Sequence, residues 1–227
     1  MTPIRLTTNV QHSLNRQKSC KTMYTGIVQD CLPIKTLDKK EGLYSFTIAF
    51  PDELCQELET GASVAVNGVC FTVTQIDGRD IAFDAIQETL ALSNIRQIDV
   101  GTRVNLERSA KANVEVGGHI LSGHVVGTAE VLAREDSPNN CRLTFRGDPA
   151  WLKYVFEKGF LAVNGASLTV AALDRERNEF AINLIPETLA RTNFDVLKKA
   201  DLVNIEVESQ TQVIVETVER VLSERFA

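Results

Sequence analysis

The chain reads as all-β, with two homologous small Greek-key β-barrels in tandem followed by one C-terminal amphipathic α-helix, and three observations predict this. Nearly the same strand, turn and strand is written twice, as SVAVNGVCFTV at 63–73 and FLAVNGASLTV at 160–170. Other blocks on both sides of it recur in the same order. Within each copy, short runs rich in Val, Ile, Thr and Phe alternate with turn residues, as a barrel module of roughly a hundred residues requires.

The repeat has a measurable register. Asn67-Gly68 recurs as Asn164-Gly165, Thr72 as Thr169, and Gly26 in MYTGIVQ as Gly123 in ILSGHVV, each 97 positions on. Downstream, IAFDAIQETLALSNI (81–95) matches FAINLIPETLARTNF (180–194) and RVNLE (103–107) matches LVNIE (202–206), now 99 positions on. Two residues are therefore inserted between the NG turn and the ETL segment. Order and spacing held over several blocks define two halves, 23–119 and 120–218.

In the first half, strands are predicted at YSFTIAF (44–50), SVAVNG (63–68), CFTVTQI (70–76), RDIAFDAI (79–86) and RVNLE (103–107), by their β-branched content and period-two alternation. Asn-Gly between two such runs predicts a type I′ hairpin, because both central residues need positive φ. Closure into a barrel then hides most strand edges. Helical turns are predicted at PDELCQELE (51–59) and PAWLKYVFEK (149–158). In the second, Trp151, Leu152, Val155 and Phe156 share a face expected to cap the barrel core. The ETL segments read as helix starts, with Glu88 and Glu187 in first turns where the helix dipole favours an acid.

The last element, predicted over 210–226, has no counterpart at the end of the first half. Ile214, Val218, Val221 and Leu222 fall at helical spacing, with Glu216, Glu219, Arg220 and Glu224 on the other face. Such a stripe packs either on its own barrel or on copies of itself, and only the second builds an oligomer.

Composition narrows the function. The 227 residues are 44% hydrophobic, enough for two modest cores. Lys and Arg number 24 against 30 Asp and Glu, a net charge of -6 without a basic stripe, which argues against a nucleic-acid partner. Neither GxGxxG after a strand nor GxxxxGK is present, so phosphate-cradling folds are unsupported. Cys20, Cys31, Cys55, Cys70 and Cys141 are odd in number and lack CxxC spacing. That pattern argues against a disulfide framework or a zinc site and fits a reducing, cytoplasmic setting. No apolar run reaches the length of a membrane span. Residues 1–22 carry Arg5, Arg16, Lys18 and Lys21 and no acid. They read either as an organellar targeting segment or as a disordered or non-native leader before a start at Met23, and the expectation is the leader.

Few residues are able to carry chemistry. His12 lies in the leader; His119 and His124 lie in VGGHILSGHV, at the junction of the halves, among Gly117, Gly118 and Gly123. The repeat sets His124 opposite Ile27, so one half has an ionisable base where the other is aliphatic. Either histidine would serve equally well as a strand cap bonded to backbone. Cys70 follows the NG turn on the same strand face as Thr72, and Ser167 and Thr169 repeat the arrangement. These side chains are candidates for chemistry and equally for core packing or backbone bonding. Lys158 reads as a solvated helix-end charge.

MYTGIVQ, VNGVCFTV, GGHILSGHV, KGFLAVNGASLTV, LIPETLARTN and VNIEVE, in this order and spacing, resemble the riboflavin synthase α-chain family over 23–227. The resemblance implies two six-stranded Greek-key barrels and a homotrimer built through the C-terminal helix. It implies dismutation of two 6,7-dimethyl-8-ribityllumazine molecules by four-carbon transfer, giving riboflavin and 5-amino-6-(D-ribitylamino)uracil. No metal or organic cofactor, nucleic acid or membrane is implied, and lumazine synthase is a further partner to consider. In the family the productive pair forms between the N-barrel of one subunit and the C-barrel of its neighbour.

Carried over by motif, the ligand contacts in the first barrel are Gly26, Ile27, Val28, Cys70, Phe71, Thr72, Asp84, Ala85, Ile86, Gln87, Glu88 and Thr89. Those in the second are Gly123, His124, Val125, Lys158, Ser167, Leu168, Thr169, Leu184, Ile185, Pro186, Glu187, Thr188 and Leu189. Because the substrate's 7-methyl group is acidic and one base with a few donors suffices, the expectation is proton transfer by His124 and delivery or stabilisation of a nucleophile by Ser167, Thr169 or Cys70. Glu208 stands where the family often has Asp, one methylene longer, and joins the catalytic candidates. Two rivals stand against it: an antenna-type protein that binds lumazine without turnover, a class that lacks the histidine pattern of GGHILSGHV and the long C-terminal helix present here, and an inactive paralogue, which the intact motifs disfavour.

Overall fold

A computed structural model describes residues 23–111 and 115–226. The leader 1–22, with His12 and Cys20, lies outside the described residues. The first half forms β1 (Asp30–Lys40), β2 (Leu43–Ala49), α1 (Asp52–Cys55), β3 (Ser63–Val66), β4 (Val69–Asp77), β5 (Asp80–Ile86), α2 (Gln87–Leu92) and β6 (Arg103–Arg108). The second forms β7 (Gly127–Ser137), β8 (Asn140–Arg146), α3 (Pro149–Leu152), β9 (Phe160–Val163), β10 (Ala166–Asp174), β11 (Glu179–Leu184), α4 (Pro186–Arg191) and β12 (Leu202–Val207). Each half closes into a six-stranded barrel, in the orders β1-β2-β5-β4-β3-β6 and β7-β8-β11-β10-β9-β12. A C-terminal helix, α5 (Ser209–Phe226), follows.

Alternation sorts the side chains of each strand. In β4, Val69, Phe71 and Val73 point into the core, while Cys70 is half-buried and Thr72 exposed on the outer face. Phe46, Phe71 and Phe83 fill the first barrel with ring centroids 5.4–6.1 Å apart. Phe145 and Phe180 stack in the second, with Trp151 edge-on to Phe180. The NG turns take the expected form, with φ of 48° and 78° at Asn67 and Gly68 and 43° and 79° at Asn164 and Gly165.

Two strands go unpredicted and one local expectation is corrected. β1 and β7 escape a hydrophobic-pattern reading because they run along a barrel corner. In β1 only Ile34 is buried, Pro33 interrupts the donors, and the strand changes partner from β6 to β2 at a bulge between Ile34 and Thr36. In the second half Trp151, Leu152 and Val155 are core, but Phe156 is 46% exposed with the Arg175 guanidinium over its ring at 5.4 Å. α3 stops at Leu152, so the helical spacing that would seat Phe156 beneath it does not continue.

The barrels meet across a pseudo-twofold axis. Tyr24 and Leu121, equivalent in the repeat, form a two-residue antiparallel bridge. The segments leading into β1 and β7 then cross, so that Val28 packs in the second barrel's core and Val125 against the first. Nearby, three repeat-related pairs of buried asparagines, Asn67 and Asn164, Asn94 and Asn193, Asn105 and Asn204, bond to one another across the axis. Asn193 Nδ2 donates to Asn67 Oδ1 (3.1 Å), and Asn94 Nδ2 to Asn164 Oδ1 (3.1 Å). Pairing satisfies groups that would be costly to bury alone.

Helix α5 touches its own barrel through polar groups: Lys153 pairs with Glu219 (2.7 Å) and the Tyr154 hydroxyl donates to Glu216 (2.8 Å). Its apolar residues Val213, Ile214, Val218, Val221 and Leu222 stay exposed.

Candidate active site

Each half presents an outward-facing residue just past its NG turn, and the crossing segments bring the opposite half's glycine turn onto it. The Cys70 N–H donates to Gly123 O (3.0 Å), and the Ser167 N–H donates to Gly26 O (2.8 Å). Gly26 and Gly123 have φ of 74° and 77°, and a Cβ there would come within 2.5 Å of Ser167 Cβ and 2.6 Å of Cys70 Cβ. Only glycine permits these approaches. The result is two cradles, each built from both halves of the chain.

The Cys70 cradle is a cavity of about 290 Å³ lined by Cys70, Glu88, Thr89, Gly123, His124 and Val125, among others. The Tyr24 hydroxyl donates to Cys70 Sγ (3.1 Å), and the His124 side chain is exposed. Burial, aided by the neighbouring Cys70, drives the Tyr24 hydroxyl far above the usual phenol range, so it remains a donor.

The Ser167 cradle is different. His119 is buried, shares a 2.6 Å hydrogen bond between its Nδ1 and Ser167 Oγ, and stacks on Phe160 at 5.2 Å. Gly118 packs on Ser167, where a Cβ would fall 2.7 Å from Ser167 Cβ. Among the described residues, His119 Nε2 is the one buried side-chain nitrogen or oxygen without a hydrogen-bond partner. The ring walls a cavity of about 700 Å³ that also takes in Phe156, Phe160, Glu208 and, from α5, Ile214 and Val215. Burial pushes the imidazole below its ordinary pKa, against a smaller upward pull from Glu208. It is therefore a neutral base at physiological pH.

The grouping of site residues expected from the repeat is thus exchanged. Gly123, His124 and Val125 sit with Cys70 in the first barrel, Gly26 sits on Ser167 and Val28 packs in the second barrel's core, while the exposed Ile27 side chain lines a separate cavity with Glu107, Arg108 and Gly117. The cause is the crossing at Tyr24 and Leu121, a tertiary feature that repeat spacing does not encode. Thr72 and Thr169 are exposed on the cradle strands, with Leu168 half-buried between Ser167 and Thr169. Phe71, Ala85 and Leu184 point into the barrel cores and Val28 is buried, leaving chiefly backbone for a ligand.

The ETL helices frame the outer rim. Ile86 and Ile185 are exposed at the helix caps, as are Gln87, Glu88 and, at the head of α4, Pro186. Asp84 accepts from Ser45 Oγ (2.6 Å) and Glu187 pairs with Arg191. Thr188 offers its carbonyl to Thr192 Oγ1, while Leu189 packs partly on the core. Lys158 is exposed at a φ of 63°, in the turn before Gly159. Glu208 caps α5, accepting from the N–H of Gln210 and Thr211 and from Thr211 Oγ1, and still faces the His119 cavity.

A family model described as the lumazine binding domain matches the chain twice, over residues 25–109 and 122–208. The riboflavin synthase of Escherichia coli (strain K12) is 45% identical over 204 residues, covering 89% of this chain and 95% of its own. That of Chlamydia pneumoniae is 39% identical over 201 residues, covering 88% and 98%. Among solved structures, LumP complexed with riboflavin matches with a TM-score of 0.74 at 27% identity, covering 81% of this chain and 98% of that one. LumP complexed with 6,7-dimethyl-8-(1'-D-ribityl) lumazine matches at 0.73 and 26%, covering 81% and 98%. Two exchanged cradles on two lumazine-binding domains, and relatives this similar along nearly their whole length, establish that the chain belongs to the riboflavin synthase family.

Proposed function

We propose that the chain is an enzyme that dismutates two molecules of 6,7-dimethyl-8-ribityllumazine, passing a four-carbon unit from one to the other to give riboflavin and 5-amino-6-(D-ribitylamino)uracil. One observation carries this reading: two cradles of common ancestry hold different proton-transfer groups, His119 bonded to Ser167 in one and His124 beside Cys70 in the other. Two copies of one substrate call for similar cradles, and unequal roles for donor and acceptor call for unlike side chains.

In the Ser167 cradle, a proton leaves the acidic 7-methyl group of the lumazine for Ser167 Oγ as the hydroxyl proton passes to His119 Nδ1. The carbanion left behind delocalises into the ring and attacks the second lumazine. This role falls to His119, where the sequence alone pointed to His124. His124 and Cys70 serve the second lumazine, with Thr72 and Thr169 as matching hydroxyls. Holding the two rings face to face supplies up to roughly 7–11 kcal/mol of the barrier.

The chain acts as a homotrimer. Support comes from the apolar stripe of α5, which no described residue of the chain covers, and from Ile214 and Val215, which wall the His119 cavity. Contacts between chains along α5 would border that cradle. The four described cysteines are free, in keeping with a cytoplasmic enzyme.

Purified protein incubated with the lumazine should produce the visible absorbance of riboflavin, with two lumazines consumed per riboflavin. Bound lumazine fluorescence without turnover would instead identify an antenna-type binding protein, and neither signal would defeat both readings.

A further inference from the structure

Glu107 on β6 and Glu206 on β12 are buried carboxylates that the reaction above does not use. Glu107 accepts from the Thr25 N–H (2.6 Å), Thr25 Oγ1 (2.8 Å) and the Gly26 N–H (3.0 Å). Glu206 accepts from the Ser122 N–H (2.7 Å), Ser122 Oγ (2.8 Å) and the Gly123 N–H (3.1 Å). Those two glycine turns are the ones laid against Ser167 and Cys70.

We propose that Glu107 and Glu206 are crossed positioning residues, each anchored in the last strand of one barrel and fixing the glycine turn that completes the ligand cradle of the other. The proposal rests on the cradles being the lumazine sites. Its force lies in the match of donors to acceptor. Each turn aims two N–H groups and one hydroxyl at a single carboxylate, and an acceptor-only group with two oxygens satisfies all three. A glutamine would set its own NH2 against one of those donors.

The turns also have no slack. Gly26 and Gly123 already lie where an added Cβ would strike the cradle strand, and their carbonyls take the Ser167 and Cys70 N–H groups. A shift of either turn therefore alters the width of the cradle across from it. Glu206 thereby sets where His124 stands in the Cys70 cradle, and Glu107 sets how Gly26 sits on Ser167. A carboxylate that served only global stability would affect both cradles alike.

The test measures riboflavin binding by calorimetric titration of the full chain. Thr72→Trp and Thr169→Trp, on the exposed cradle strands, block the Cys70 and Ser167 cradles respectively and leave one site each. In the Thr169→Trp background, Glu206→Gln should weaken the remaining site about tenfold and Glu107→Gln should leave it unchanged. In the Thr72→Trp background the two should trade places. Loss within the same barrel as the substitution, or equal loss at both sites, would overturn the proposal. Should the glutamine variants fail to fold, Ser122→Ala and Thr25→Val remove one donor each and should give the same crossed pattern at about threefold, with an uncrossed pattern again overturning it. If the unsubstituted chain binds no riboflavin, the functional reading itself fails, and the crossed assignment falls with it.

Discussion

Tyr24 and Leu121 donate their backbone N–H groups to each other's carbonyls at 2.9 Å, and they are the same position of the two repeats. A residue that pairs with its own equivalent marks a twofold axis, and Gly68 and Gly165 mark it again. A Cβ on Gly68 would lie 2.6 Å from Gly165 N, and one on Gly165 would lie 2.8 Å from Gly68 N. Around that axis the glycine and asparagine contacts are made twice, so substitutions there should have effects out of proportion to their size.

The glycine contact is testable against a control. Gly78, at a φ of 58° with nothing within 4 Å of an added Cβ, should cost about 1–2 kcal/mol on Gly78→Ala from left-handed strain alone. Gly68→Ala meets backbone that cannot turn aside, and should cost about 1–3 kcal/mol more. Urea unfolding of both variants checks the difference.

The asparagine cluster predicts coupling between barrels. Asn67→Ala leaves the Asn105 N–H and Asn193 Nδ2 without the oxygen they share, and should cost about 2–4 kcal/mol. Asn193→Ala on top of it should cost much less than it does alone, because the groups act as one network. A double-mutant cycle from urea curves measures the shortfall.

Proton transfer through His119 predicts a particular pH profile. Burial lowers the pKa of the imidazole, so the active neutral form persists below the ordinary histidine value of about 6.5. The acid limb of kcat/KM should therefore fall below that pH, and His119→Ala should remove the limb and lower kcat by about 10²–10⁴-fold. Lumazine binding by the same variant, read by fluorescence, should change far less.

The two buried carboxylates predict a stability effect of known sign. Burial, partly offset by the bonds from Thr25 and Gly26 or from Ser122 and Gly123, raises both above 4.5 in the folded chain. The folded state then holds protons that the unfolded state has released, and the stability this confers is complete below 4.5 and lost as pH rises through the folded values. Relative to the unsubstituted chain, Glu107→Gln with Glu206→Gln should gain stability over that rise. Unfolding free energies measured across the window would show the difference between the two curves moving in the variant's favour as pH rises.

Helix α5 predicts the assembly. Val218→Glu with Leu222→Glu places charges on the exposed apolar stripe; on the proposed assembly the unsubstituted chain should sediment as a trimer by analytical ultracentrifugation and the variant as a folded monomer. Turnover should be largely lost with it.

Much of this was legible in the sequence where the signal is local. Asn67-Gly68 and Asn164-Gly165 need positive φ and mark their turns, Glu88 and Glu187 mark helix starts, and Cys70 with Thr72 falls outward by alternation. What pattern reading misses is tertiary. His119 meets Ser167 across 48 residues, and its repeat equivalent, Thr22, offers no comparison because it lies outside the described residues. Glu206 and Asn204 stand in the VNIE block that aligned the halves, yet a buried acid and amide in a strand signal nothing until their partners are known. Glu208 looks catalytic by motif, whereas its three nearest donors belong to the helix start it caps.

The bridge at Tyr24 and Leu121 also bears on ancestry. A surface whose residues face their own equivalents is isologous, the kind by which two identical subunits associate. Here it lies inside one polypeptide, as though a symmetric dimer had been fused end to end. Two separate copies of one gene product must change together, since any substitution appears on both sides of their axis. Fusion lifts that restraint, and Ile27 can differ from His124, and Cys70 from Ser167, while the contacts that hold the halves together stay paired.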